Sequence, residues 1–371
     1  MNHTSQPYDD LQPSLGEQES RFSRAFGVIR HAIRQRAFPG AALAVTHRGS
    51  LVVSQGFGRF TYESDSPEVQ PDTMFDLASL TKVLATTALA MILYERGVLD
   101  LESPVAAILP EFVAPDSQRE AMSKVTLRLL LAHSSGLPAY VKLFETAHTR
   151  DELIGAAMTT PLVATPGSKA DYSDIGFIAL GEVLAKLAGA PLDFFAPREI
   201  FVPLRMWRTS FNPPAASRSA IPPTEDDLTF RHRVIQGEVN DENASVMDGV
   251  AGHAGLFAPA IDVARFAECM LRGGAPILGP ATVELFTRRE ASPLGTSRAL
   301  GWDTPSPPSS SGEYFSSRSF GHLGFTGTSM WIDPERGLSV TLLTNRTWPD
   351  RSSQAIRQIR PLVHDAIIEA L

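Results

Sequence analysis

Asp76-Leu77-Ala78-Ser79-Leu80-Thr81-Lys82 is the stretch on which the reading of this chain turns. It opens an apolar run, Val83 to Tyr94, whose composition predicts a helix ending at Gly97. A Ser in the first helical turn with a Lys three positions on places both side chains on one face, within reach of each other. That pairing can make a serine hydroxyl nucleophilic: a neutral amine accepts its proton, and the helix N-terminus favours the developing negative charge. The spacing alone is a weak signal, so its meaning depends on what lies downstream.

Composition narrows the alternatives. At 371 residues the chain exceeds one typical domain, which predicts one large or two interleaved domains with ample core. Hydrophobic residues at 43% and charged residues at 20% describe an ordinary globular protein. A net charge of −8 with no basic run offers no electrostatic footprint for nucleic acid. The single cysteine, Cys269, excludes an intrachain disulfide and a cysteine-based zinc site, and its amphipathic setting predicts a buried packing residue. The polar, acidic N-terminus lacks the apolar core of a secretory signal, and Val83–Tyr94 is too short to span a bilayer. Together these give the expectation of a soluble, cytoplasmic protein without a membrane span.

Periodicity sets out the organisation. Residues 1–19 read as a flexible tail, and 21–36 carry apolar residues at helical spacing (Phe22, Phe26, Ile29, Ile33). Two β-rich runs, 40–46 and 51–58, flank His47-Arg48-Gly49-Ser50 and predict a hairpin. From Asp72 the pattern turns helical. Helices are also expected over 126–133, 175–187 (with Gly189 beyond) and 260–273, and a mobile surface loop over 304–317. Runs 329–333 and 338–344 around Pro334-Glu335-Arg336-Gly337 predict a second hairpin, and 353–371 a terminal helix. The expected fold class is α/β (α+β): an antiparallel sheet flanked by helices, built from 20–75 and 290–371, with a mainly helical region, 76–289, inserted.

Three further segments carry candidate chemistry. Ala170-Asp171-Tyr172-Ser173-Asp174 places a phenol and a carboxylate on a loop just before a helix; a half-buried Tyr172 and an N-capping Asp174 are the plainer alternative. Phe320-Gly321-His322-Leu323-Gly324-Phe325-Thr326-Gly327 alternates glycines on a strand, which suggests a ligand approaching the backbone closely. His133-Ser134-Ser135-Gly136-Leu137-Pro138 reads as a helix end with a turn.

In order and spacing, Ser79-x-x-Lys82, the Leu-Leu-Ala-His-Ser-Ser-Gly-Leu-Pro stretch, Tyr172-x-Asp174 and His322-x-Gly324 resemble the serine β-lactamase-like superfamily. The branch is that of class C β-lactamases, DD-peptidases and family VIII esterases, and the likeness runs from about residue 38 to 346. It implies a β-lactamase/transpeptidase-like fold with Ser79 as the acylated nucleophile. Lys82 would stay partly neutral in a desolvated pocket and take the serine proton, directly or through Tyr172. Tyr172, made more acidic by Lys82, would then serve the leaving group and the water. The N–H groups of Ser79 and Phe325 would form an oxyanion hole, worth about 3 kcal/mol per donor. Asp174 stands where β-lactamases usually have Asn, and would be held by backbone donors or tune the base. His322 stands in place of a Lys, and a neutral imidazole attracts a carboxylate weakly. Residues 237–244 and 249–257 resemble a penicillin-binding-protein 4B-like segment expected to line the cleft, with His253 hydrogen-bonded inside a Gly-rich turn.

Other chemistries find no support. There is no G-x-S-x-G, no H-E-x-x-H and no P-loop, and the histidines lack metal-ligand spacing. The expectation is a serine hydrolase without cofactor or metal, most readily a carboxylesterase on small esters. A DD-peptidase or D-amino-acid peptidase with weak β-lactam hydrolysis is the alternative. A silent, ligand-sensing or assembly-forming member is the non-enzymatic one.

Overall fold

The computed structural model describes residues 10–113 and 116–371. Its main sheet joins the two ends of the chain in the strand order β1 (Gln12–Pro13), β3 (Ser50–Gly58), β2 (Gly40–His47), β11 (Leu338–Thr344), β10 (Ser329–Asp333), β9 (Phe320–Leu323). The β2–β11 pairing, with Leu43 opposite Leu342 and Val45 opposite Val340, closes the chain on itself. Both expected hairpins form. In the first, Arg48 and Gly49 both take positive φ (50° and 84°), the twist a tight two-residue turn requires.

Strand alternation assigns the two faces. Ala41, Leu43 and Val45 of β2 and Leu338, Val340 and Leu342 of β11 pack with Phe26, Ile29, Val363 and Ile367 from the Ser23–Arg34 and Ile356–Glu369 helices. Ala42, Ala44 and Leu343 face the other way, into the larger core that contains the Ala260–Leu271 helix. Cys269 is buried on that helix, its thiol directed at the Gly274 carbonyl (3.1 Å).

Three expectations change. Residues 1–9 of the expected tail lie outside the described residues, but Leu11 is buried and Gln12–Pro13 pair in parallel with Ser50–Leu51. The segment after Asp72 does not begin as helix. Met74–Asp76 is strand β4 in a small sheet of β4, β8 (Leu256–Pro259) and β5 (Ser210–Phe211), because Phe75 and Asp76 find partners at Ala258 and Phe257. The 304–317 loop is pinned: Phe315 packs on Trp331, and Asp365 accepts the N–H groups of Glu313 and Tyr314. Two further strands, β6 (Pro223–Asp227) and β7 (Arg233–Gln236), form a ribbon beside the cavity described next. Among the described residues no single helix is long and apolar enough to cross a membrane.

Candidate active site

Ser79 sits where strand β4 turns into a helix. Leu77 still donates to Leu256 of β8 (2.9 Å), and Ala78 is forced to φ 46° before the chain enters one 3-10 turn, Ala78–Leu80. The buried Asp76 carboxylate secures this bend: Oδ1 accepts the Ala78 N–H (2.8 Å) and Oδ2 the Asn240 N–H (2.6 Å). Burial drives the Asp76 carboxyl up to about 6 against the pull of those two donors. The helix then runs through a π-helical segment, Lys82–Thr87, before becoming α-helical over Ala88–Glu95. Such wide turns concentrate at functional sites. Here Thr86 Oγ1 donates to the Gly252 carbonyl (2.6 Å), tying the helix to the 250–255 loop.

Lys82 is completely enclosed, and its amine spans three partners. Nζ donates to Ser79 Oγ (2.9 Å) and to the His253 carbonyl (3.0 Å), and lies 2.6 Å from Asp174 Oδ1. Three acceptors around one nitrogen suit an ammonium, which has three protons and no lone pair. Burial alone would drive the proton off. Asp174 and Tyr172 outweigh it and hold Lys82 above the ordinary lysine range. The expected partly neutral amine is therefore corrected: the sequence places Lys82 beside Ser79 but does not show that Asp174 favours its charged form. Nor, among the described residues, does a backbone donor reach the Asp174 carboxylate, whose Oδ1 has this ion pair and no hydrogen-bond partner. Burial raises the Tyr172 phenol; Lys82 does make it more acidic, as expected, but burial outweighs it, so the resting group is a neutral O–H.

The Tyr172–Asp174 loop is set by the 133–139 turn. His133, at φ 54°, accepts the Ser173 N–H on Nδ1 (3.0 Å) and stacks between Tyr172 and Phe177, with centroids at 4.6 and 4.9 Å. The His133 carbonyl takes the Asp171 N–H, and Ala139 takes that of Asp174. Ser173, not Asp174, caps the Asp174–Ala188 helix. His133 is thus a positioning residue that the reading of a simple helix end passed over.

His322 lies across the cavity, its ring 5.9 Å from Tyr172, with Nδ1 donating to the Leu323 carbonyl (2.8 Å). Burial first, then Lys82 and Arg298, hold it well below the usual imidazole range, hence neutral. The glycines beside it serve the protein's own packing. A Cβ at Gly324 would meet the Thr328 hydroxyl and, at 2.6 Å, the Leu77 carbonyl; at Gly321 it would meet Trp331. Thr326 and Thr328 also donate to the carbonyls of Asp76 and Leu77 (2.8 and 3.0 Å). The Phe325 loop and the Ser79 bend are therefore one assembly.

Ser79, Tyr172, Asp174, His322, Gly324 and Phe325 all line a cavity of about 740 Å³. Asn240, Asp241, Glu242 and Ala254 form one wall. His253 pairs with Asp241 (Nε2–Oδ1, 2.8 Å) rather than inside its own turn, which fixes the carbonyl that Lys82 uses. Burial raises the Asp241 carboxyl, but His253 and the Ala244 N–H outweigh that and hold it below its usual range. Arginines 298, 346, 351, 357 and 360 also line it. None stood out in the sequence, because each lacks a local motif.

A family model described as Beta-lactamase matches residues 26–363. A Bacillus subtilis (strain 168) protein named N-acetylmuramyl-L-alanine amidase is 34% identical over 343 residues, covering 83% of this chain and 77% of its own. A Salmonella agona (strain SL483) protein provisionally named a D-alanyl-D-alanine carboxypeptidase is 31% identical over 371 residues, covering 90% of this chain and 84% of its own. Among solved structures, EstCE1, a hydrolase with promiscuous acyltransferase activity, superposes at a TM-score of 0.76 with 23% identity, over 94% of this chain and 99% of that one. A motif set in family order, a fold that superposes and a family model spanning most of the length converge: this chain belongs to the β-lactamase family of serine hydrolases.

Proposed function

We propose that the chain hydrolyses carboxylic esters through an acyl-enzyme on Ser79. The observation that carries this is the Ser79–Lys82–Asp174 chain, 2.9 and 2.6 Å between successive polar atoms. As Ser79 Oγ attacks the carbonyl carbon, a Lys82 proton passes to Asp174, and the freed lone pair takes the serine proton. The oxyanion meets the Phe325 N–H, which has no backbone acceptor among the described residues, and the Ser79 N–H, an unpaired donor of the helix start. Collapse breaks the bond to the leaving alkoxide, which takes the Tyr172 proton. The Lys82–Asp174 pair restores that proton. Water then repeats the sequence on the acyl-enzyme. A charge-neutral ion pair and a neutral His322 leave no net charge to match beside Ser79 itself, which suits the uncharged carbonyl of an ester.

A peptidase on carboxylate-terminated amides is the second reading, favoured by Arg298. Its guanidinium lies 5.4 Å from the Tyr172 ring centroid and faces Asp303 only loosely, at 3.8 Å, so it is available to a substrate carboxylate. The names of the amidase and carboxypeptidase relatives support the same reading. A panel of p-nitrophenyl esters, D-alanyl-D-alanine peptides and nitrocefin, run on wild type, Ser79→Ala and Arg298→Gln, separates the two. Ester turnover that depends on Ser79 and is indifferent to Arg298 supports the esterase. Release of D-alanine whose KM rises in Arg298→Gln supports the peptidase, and turnover surviving Ser79→Ala contradicts both.

A further inference from the structure

The peptide unit between Val239 and Asn240 is held at both ends by charged side chains. Arg231 Nη1 donates to its carbonyl (2.7 Å), and Asp76 Oδ2 accepts its N–H (2.6 Å). Arg231 Nη2 donates to the next carbonyl, that of Asn240 (2.7 Å), so the guanidinium fork spans two successive peptides. Asp227, the last residue of strand β6, fixes that fork in turn. Its Oδ2 accepts Arg231 Nε (2.9 Å) and the Arg231 backbone N–H (3.0 Å), while Oδ1 accepts the N–H groups of Thr229 and Phe230 (3.0 and 2.9 Å). Both side chains are buried, Arg231 at 8% exposure and Asp227 at 1%. The turn of the β6–β7 ribbon is thus a braced unit that grips the chain at residues 239 and 240.

Those residues lead to both the nucleophile and the base. The Asn240 N–H meets the carboxylate that also accepts the Ala78 N–H (2.8 Å) and so secures the Ser79 bend. The adjoining Asp241 accepts His253 Nε2 (2.8 Å), and the His253 carbonyl accepts Lys82 Nζ (3.0 Å). Two neighbouring residues therefore reach Ser79 and Lys82 by separate routes, and one guanidinium holds the backbone they share. A buried ion pair is weak evidence for stability, because desolvation offsets much of its attraction; fixing one register is its better-attested use. The arrangement also carries charge. Arg231 and Asp76 face the two poles of one peptide dipole, cation to C=O and anion to N–H, inside a low-dielectric interior. Burial raises the Asp76 carboxyl, the Asn240 and Ala78 N–H groups lower it, Asp241 raises it and Arg231 lowers it. Thr229 lines the cavity and Arg231 does not, so any effect of Arg231 on the reaction passes through the chain.

We propose that Arg231 is a positioning residue: by clamping the Val239–Asn240 peptide it places the Ser79 bend and the Lys82 ammonium relative to one another. The proposal rests on the acyl-enzyme reading and adds to it a side chain outside the cavity on which the rate depends.

Arg231→Met, Arg231→Lys and Asp227→Asn test this. In Arg231→Met, kcat for p-nitrophenyl butyrate is expected to fall about ten-fold or more with a smaller change in KM, as for catalytic groups moved out of line. The acid limb of its activity, which follows the Asp76 carboxyl at about 6, is expected to move to higher pH, because a cation that favours the carboxylate is gone. Arg231→Lys keeps the charge and loses the fork, so kcat falls while the limb stays in place. Asp227→Asn loosens the fork and keeps the guanidinium, with the same outcome expected, and it decides the matter if Arg231→Met fails to fold. Lowered stability with kcat and limb unchanged in the variants that fold would confine Arg231 to the fold and overturn the proposal. A second arm needs no turnover. Denaturant unfolding of wild type, Arg231→Met, Asp76→Asn and the double variant forms a cycle, run on the acid and the alkaline side of about 6. Coupling between the two positions is expected on the alkaline side, where Asp76 is ionised, and is expected to weaken on the acid side. No coupling on either side would also overturn the proposal. Absence of any ester turnover would count against the acyl-enzyme reading, while the cycle still judges the clamp.

Discussion

Lys82 Nζ and Asp174 Oδ1 lie 2.6 Å apart, with the lysine wholly enclosed and that carboxylate oxygen without a hydrogen-bond donor of its own among the described residues. The acid therefore sets the charge state of the base, and the pair stores one mobile proton beside Ser79. Asp174→Asn removes the charge and the group that can take up a proton while keeping the shape. The expected outcome is a fall in kcat of about 100-fold, the scale of losing one acid–base partner. Asp174→Ala additionally strands a buried ammonium, expected to cost about 3–5 kcal/mol in denaturant unfolding. Full activity in Asp174→Asn would show that no proton passes through the carboxylate.

Asp76 gives a pH signature. With its carboxyl pushed up to about 6, it is protonated on the acid side of neutrality and then loses an acceptor for the Ala78 or Asn240 N–H. Activity is expected to fall through an apparent pKa near 6. The same limb should remain in His322→Asn, since His322 is neutral throughout that range. It should vanish from the residual activity of Asp76→Asn. Stability moves the other way. A carboxyl harder to ionise folded than unfolded favours the fold below its ordinary 3.8, and that contribution is lost as pH rises through about 6. Opposed activity and stability profiles are the measurement, and a limb that follows His322 would contradict it.

His133 acts on Tyr172 through packing and one hydrogen bond. His133→Ala frees the Ser173 N–H and removes the stacked ring between Tyr172 and Phe177. The expected result is a loss of about 1–3 kcal/mol in stability and a drop in kcat larger than the change in KM. Unchanged kcat with lowered stability would confine His133 to the fold.

Much of the frame is legible in the chain because its signals are local. The Arg48-Gly49 and 334–337 turns, the β-rich runs beside them and the one-turn spacing of Ser79 and Lys82 are each contained within a few residues. Met74–Asp76 reads as the start of a helix because its strand partners, Phe257 to Pro259, lie far along the chain. For the same reason the charge on Lys82 is hidden. The helix around it says nothing about a carboxylate delivered by the Tyr172 loop, or about a carbonyl fixed by the His253–Asp241 pair. The cavity arginines are the extreme case, since 298, 346, 357 and 360 share a wall only after the sheet closes.

Gly324 tests the join between the Phe325 loop and the nucleophile bend. An added methyl would press on the Leu77 carbonyl and the Thr328 hydroxyl, so the loop must shift. Gly324→Ala is expected to lower kcat by about 100-fold, the cost of misplacing one oxyanion donor, with smaller effect on KM. Unchanged kcat would place the oxyanion donors elsewhere.

Intact-protein mass spectrometry after exposure to a fluorophosphonate probe bears most directly on the claim that Ser79 is the acylated nucleophile. One adduct per chain is expected, located on Ser79 by peptide mapping, absent in Ser79→Ala and slowed in Asp174→Asn. A wild-type chain that stays unlabelled, or an adduct on another residue that persists in Ser79→Ala, would contradict it.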